Sequence, residues 1–192
     1  MKKVNNPHFS TFILFLSVIL LNSSCVEEAK KLNIGDSYQG GLIAYILEAG
    51  DNGYVYNETH GLVISATNLS DGIQWYNGSY VITNATDSAL FCGLNNTSMI
   101  VQIQGSGNYA AKLCYDYENE GYKDWYLPSI AELYAIRNNA NLLDFDFDKA
   151  DVFWSSTEES DMYSSTLHMA KFFPPMLYPK YSQRGVRAVH RF

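Results

Sequence analysis

Charge is scarce in this chain, and positive charge scarcer still: 17% of its 192 residues are charged, with 13 basic against 20 acidic. That deficit argues against general nucleic-acid binding, which needs a basic footprint. Cysteine is nearly missing, with three residues, so a small scaffold held by many bridges is excluded. Long hydrophobic runs are missing as well. The most extended, from Phe12 to Leu21, is too short to cross a bilayer as a helix, which takes about 20 apolar residues. No His-x-Glu pair, HExxH helix, Gly-x-Ser-x-Gly elbow or glycine-rich phosphate loop occurs. The enzyme classes with such signatures therefore have no foothold in the sequence.

What is present begins with an export pattern. Met1, Lys2 and Lys3 precede the apolar run, which ends in Leu21-Asn22-Ser23-Ser24-Cys25. A charged start, a short apolar core and small residues at its end are the parts of a signal peptide. The closing five residues resemble a bacterial lipobox, with Asn22 where Leu is usual. Residues 1–24 are thus expected to be removed and Cys25 to carry a lipid. The alternative is an ordinary secretory signal with Cys25 a stray thiol. Val26-Glu27-Glu28 after the cysteine resembles the surface-export signal of Bacteroidetes-type lipoproteins, and residues 25–33 read as an acidic linker. Loss of Lys2 and Lys3 leaves the mature chain at a formal −9. These features imply an outer-membrane, surface-facing protein whose membrane contact is its N-terminal lipid.

The rest suits one domain, residues 34–192, rich in Tyr, Asn, Ser and Gly and therefore in loops. Gly40 to Leu47 reads as a strand buried on both faces, and Gly50 to Gly53 as a turn. Leu62 to Ala66 and Ile73 to Tyr76 are further strand candidates, with a surface loop from Tyr76 to Asp87. Ile100, Val101 and Ile103, then Ala110 to Tyr117, carry helical spacing, broken at Gly105-Ser106-Gly107. Ser129 with Glu132 three residues on, after Pro128, is a capping box. Ile130, Leu133 and Tyr134 supply the apolar face behind it, and Asn138-Asn139 a stop. Val152 to Trp154, Thr166 to Phe173 and Val186 to Phe192 read as strands. The expected class is α+β, with two helices and small antiparallel sheets. Trp75, Trp125 and Trp154 are expected in the core.

Cys92 and Cys114 remain in the mature chain. A bridge between them would close a loop of about 23 residues, worth about 3 kcal/mol on the chain-entropy model. The rival reading packs Cys114 as a small hydrophobe on a stripe with Ala110, Leu113 and Tyr117. Asp144, Asp146 and Asp148, with Asp151, form an oxygen-rich cluster to test for Ca²⁺. The turn glycine of a calcium loop is missing and Phe145 and Phe147 alternate with the acids, so the expectation is no cofactor.

Three ordered segments carry a resemblance. Ala110-Ala111-Lys112-Leu113-Cys114 leads to Gly121-Tyr122-Lys123-Asp124-Trp125-Tyr126-Leu127-Pro128-Ser129 and Glu132-Leu133. Phe153-Trp154-Ser155-Ser156-Thr157-Glu158 follows, and the chain closes with Gly185-Val186-Arg187-Ala188-Val189-His190-Arg191-Phe192. Ile34-Gly35-Asp36, His60-Gly61-Leu62-Val63 and Gly72-Ile73-Gln74-Trp75-Tyr76 agree. The set resembles the family typified by the C-terminal domain of the Legionella collagen-like adhesin, a domain of unknown function. Phe153 in place of Tyr, His190 within the closing series, and Cys92 are departures from its pattern.

The resemblance implies a C-type lectin-like fold with its N- and C-terminal strands paired and long loops hung from the core. It implies a binding or adhesion module for a glycan or protein, one relative being an adhesin for sulfated polysaccharides. Related domains are variable display proteins whose changeable residues precede the last strand. By that analogy Tyr163, His168, Lys171, Met176, Tyr178, Lys180 and Tyr181 are the ligand-contact candidates. Tyr offers large contact area at small entropic cost. From Lys171 onward there are five Lys or Arg and no acid, a local basic face that would attract sulfated or carboxylated glycans. Arg184, Arg187 and Arg191 read instead as structural. The rival functions are a structural or accessory subunit of a surface appendage and an enzyme. The lectin-like class includes formylglycine-generating enzymes that use a cysteine pair, but the residues around Cys92 and Cys114 do not resemble that site.

Overall fold

The computed structural model describes residues 1, 31–143, 145, 150–169 and 173–192. Cys25, Lys171, Asp144, Asp146 and Asp148 lie outside the described residues. Lys31–Phe192 forms one compact unit, and it is mixed α+β, with three α-helices and two sheets among the described residues. No helix among those residues is long and apolar enough to cross a membrane.

The first sheet runs β1 (Ser37–Tyr38), β2 (Gly41–Ile46), β3 (Gly61–Ile64), and then β9 (Val189–Arg191), all antiparallel. Gly41 is required in β2 because a Cβ there would lie 2.3 Å from the Ile64 carbonyl oxygen. A bulge between Ile43 and Tyr45 breaks the two-residue alternation, so Ile43 and Ala44 are both buried. β3 shows what the alternation does when both faces are covered. Val63 enters a core with Trp75, Trp125 and Trp154, while Leu62 and Ile64 enter a second core with Tyr126, Leu133 and Ile136.

The expectation of paired end strands needs correction. β9 pairs with β3, Ile64 opposite Val189, and β1 stands at the other edge of the sheet. The sheet curls into a half-barrel, which brings the two edges back together through side chains. The Tyr38 and Phe192 rings meet at 5.1 Å, and a His190 ring nitrogen, Nε2, sits 3.0 Å from the Gln39 carbonyl oxygen.

The second sheet has the order β4 (Ser70–Ile73), β8 (Arg184–Val186), β5 (Val152–Glu158), β6 (Tyr163–His168), β7 (Met176–Pro179). Its β5–β8 pair is parallel and the others antiparallel. Val186 to Phe192 is therefore not one strand: β8 serves one sheet and β9 the other. Arg187 makes the crossing. Its buried guanidinium donates to the Ser65 and Leu143 carbonyls and lies over the Phe145 ring, while Ala188 N–H donates to Ser65 Oγ. The strand expected at Thr166 to Phe173 begins earlier, at Tyr163, and ends at His168. The one expected at Ile73 to Tyr76 ends at Ile73.

Three helices, where two were expected, cover the sheets: α1 (Gly93–Gln104), α2 (Ala110–Tyr115) and α3 (Ile130–Arg137). Gly105, at φ +73°, ends α1 where the Gly105–Gly107 break was read. The capping box is formed: Ser129 Oγ accepts from Glu132 N–H at 3.3 Å, and Glu132 Oε2 accepts from Ser129 N–H at 2.6 Å. All three tryptophans are buried. The disulfide expectation is corrected as well, since Cys92 and Cys114 are both free thiols. Cys114 is buried in the core beside Ala110 and Ala111, and Cys92 precedes α1 with its thiol against Asp87.

Candidate functional site

The expected contact residues fall at two ends of the β6–β7 hairpin. In register, Tyr163 faces Pro179 and Thr166 faces Met176. Five residue steps separate Tyr163 from His168, about 16 Å along the strand, so these two cannot share a small ligand. His168 is buried, its Nε2 3.0 Å from Asp151 Oδ2 and its ring beside Phe173. Tyr178 packs partly into the tryptophan core with the Arg184 guanidinium 3.8 Å above its ring. Met176 is half-buried. Tyr163 and Tyr181 remain open, 40% and 56% exposed.

Lys180 is corrected most sharply. It is fully buried, and its Nζ donates to Glu158 Oε1 at 2.5 Å and to the Val81 carbonyl at 3.3 Å. The ammonium also stands 4.5 Å from the Trp75 ring. The Glu158 carboxylate, buried at the end of β5, accepts from Thr83 N–H and Asn84 N–H, each at 2.8 Å. Burial lowers the Lys180 ammonium below its ordinary range, against the upward pull of Glu158.

This buried pair joins three segments. Residues 76–84 follow β4, 159–162 link β5 to β6, and 180–183 link β7 to β8. Backbone bonds reinforce the join, from Trp75 N–H to the Lys180 carbonyl, from Lys180 N–H to Met162, and from Glu158 N–H to Ala85. Around it stands a cluster of tyrosines. The Tyr76 and Tyr80 rings are 5.0 Å apart. The Tyr80 phenol is raised by partial burial, by a hydrogen bond with Tyr76, and by proximity to Tyr76, Tyr181 and Tyr163. Tyr80 is 44% exposed, and Met162 beside Tyr163 is comparably open.

Sequence reasoning named Tyr163 and Tyr181, both exposed, among the contact candidates and did not name Tyr80, since the Asn- and Gly-rich run around it reads only as a loop. The one available signal was the acid closing the Trp-Ser-Ser-Thr-Glu series, a carboxylate at the end of a buried strand whose partner is Lys180. The basic face does not form among the described residues. Lys180 and Arg187 are buried, Arg184 lies on Tyr178, and Arg191 lies 5.4 Å from the Phe91 ring.

Other concavities are smaller in promise. A shallow cleft of about 320 Å³ opens beside Tyr38, Gln39, Gly40 and Asn119. Another of about 260 Å³ lies among Leu47, His60, Phe91 and Arg191. The first is lined by Ser37 and Glu120 with no His or Cys, and the second holds His60 with no Ser, Thr or Cys. The Cys92 thiol is pushed up to about 11 by burial and by its bond to Asp87, and burial alone holds the Cys114 thiol well above its usual range. Both stay protonated near neutrality and are poor nucleophiles. Among the described residues no three His, Cys, Asp or Glu side chains gather as metal ligands. No family model matches the chain, and no curated protein matches it.

Proposed function

We propose that this protein is a lipid-anchored, surface-facing binding module of C-type lectin-like fold, related to the Legionella collagen-like adhesin C-terminal domains. It engages a glycan or protein through the tyrosine surface built by residues 76–84, 159–163 and 180–183. The observation that carries the reading is the open set Tyr80, Tyr163 and Tyr181, with Met162, around the buried Lys180–Glu158 pair. Exposed aromatics on loops fixed from beneath are suited to recognition, because little side-chain entropy is lost on contact. Two thiols held protonated speak against a cysteine nucleophile.

The test is a glycan array and a pull-down from extracellular material, comparing the wild type with the triple variant Tyr80→Ala, Tyr163→Ala, Tyr181→Ala. Loss of the captured ligand supports the surface. Capture unchanged in the triple variant removes it. Co-purification with neighbouring-gene products, with no soluble ligand found, would favour an appendage subunit.

A further inference from the structure

We propose that the tyrosine surface receives a cationic side chain, Lys or Arg, from a basic segment of a partner protein. This rests on the binding reading above and narrows its ligand. The first ground is charge. The three segments, residues 76–84, 159–163 and 180–183, contain a single cation, Lys180, and it is buried against Glu158. Glu159 and Asp161, between β5 and β6, are exposed, so among the described residues these segments present negative charge and no exposed cation, where the sequence suggested a basic face. The nearest arginine along the chain, Arg184, already lies over Tyr178. A sulfated or carboxylated glycan would meet carboxylates here and no open cation among the described residues.

The second ground is the aromatic arrangement. Tyr ring faces attract cations within about 6 Å, by about 0.5–1 kcal/mol each at exposed sites. The site already uses that attraction internally, in Lys180 over Trp75 and Arg184 over Tyr178. Tyr80, Tyr163 and Tyr181 offer open rings, and Glu159 and Asp161 stand in the turn whose Glu159 and Ser160 N–H groups donate to the Tyr163 carbonyl, so exposed ring and carboxylate share one loop, as a Lys or Arg head requires. A formal −9 on the mature chain steers a basic partner toward it.

The test measures binding of a fluorescent Lys/Arg-rich dodecapeptide to the full-length lipoprotein in detergent, at low and high salt. Maltohexaose and heparin serve as neutral and sulfated comparators. Tyr80→Ala, Tyr163→Ala and Tyr181→Ala are each expected to weaken the peptide by about two- to five-fold. Asp161→Asn is expected to weaken it at low salt and less at high salt, while Glu120→Gln, an exposed acid beside the Tyr38 cleft, leaves it unchanged. Each tyrosine is at least 40% exposed, so the variants keep the fold, which thermal unfolding verifies. Peptide affinity that ignores the tyrosines or Asp161 overturns the proposal. Maltohexaose or heparin binding lost in the tyrosine variants, with no peptide binding, overturns the cation and leaves the binding reading standing. A wild type that holds none of the three probes through these tyrosines overturns the cation, and the pull-down then decides the binding reading separately.

Discussion

Lys180→Met removes the ammonium from beneath the three joined segments and leaves the rest of the stem to pack against Trp75. The Glu158 carboxylate, at the buried end of β5, keeps the Thr83 and Asn84 amides but loses its cation. Removing one partner of a buried pair costs about 3–5 kcal/mol, since the remaining charge is stranded out of water. Against a domain stability of about 5–15 kcal/mol this is a large share. With a urea slope of about 2 kcal/mol/M, the unfolding midpoint should fall by about 1.5–2.5 M. Desolvation of two buried charges offsets most of their mutual attraction, so the pair is expected to add little net stability and to serve chiefly to place the loops. The double variant Glu158→Gln, Lys180→Met should therefore recover most of the loss, returning to within about 2 kcal/mol of wild type, while still failing to hold residues 76–84 in place. Urea unfolding followed by tryptophan fluorescence reads both. A single variant shifted by less than about 0.3 M, or a double variant worse than the single, would refute the reasoning.

Glu132 is a second buried carboxylate, accepting from Ser129 N–H, Phe91 N–H and Tyr126 OH. Ser129→Ala should cost about 1–2 kcal/mol as a lost cap, and Glu132→Ala at least about 3 because three donors are stranded; equal midpoints in urea would reduce Glu132 to a simple capping role. His60 is raised above its ordinary value near 6.5, first by its hydrogen bond to Glu58, with the Phe192 carbonyl at its other nitrogen. Its contribution is fully present below pH 6.5 and is lost as pH rises through the raised folded value, so thermal stability should decline across that window, and Glu58→Gln should flatten the decline. Gly41→Ala should prevent folding, because the added Cβ would press on the Ile64 carbonyl and Val63 Cγ1 at 2.3 and 2.6 Å; a soluble variant with wild-type circular dichroism would contradict this. Alkylation followed by mass spectrometry should find both Cys92 and Cys114 as thiols, Cys114 only after unfolding.

Local signals in the chain were sufficient for much of the fold. Ser129 and Glu132 close a capping box whatever surrounds them, because both partners lie within one helical turn. Gly105 ends α1, and the run from Gly41 forms a strand, for reasons confined to a few residues. The tryptophans go inside because their surface is costly to leave in water.

Tertiary structure alone decided the rest, since it depends on which distant segments meet. Val186 to Phe192 has the composition of one strand, yet Ser65, more than a hundred residues earlier, captures Arg187 and Ala188 and divides it between two sheets. Lys180 reads as a surface cation until Glu158, Thr83 and Asn84 converge on one buried point and claim it. Tyr80 reads as loop filler until that same point holds its segment beside Tyr163 and Tyr181. Sequence set the local elements and the burial of the large apolar residues. The charge and aromatic content of the proposed binding surface followed only from long-range pairing, because for a lysine or a tyrosine the available partner decides whether the side chain faces solvent.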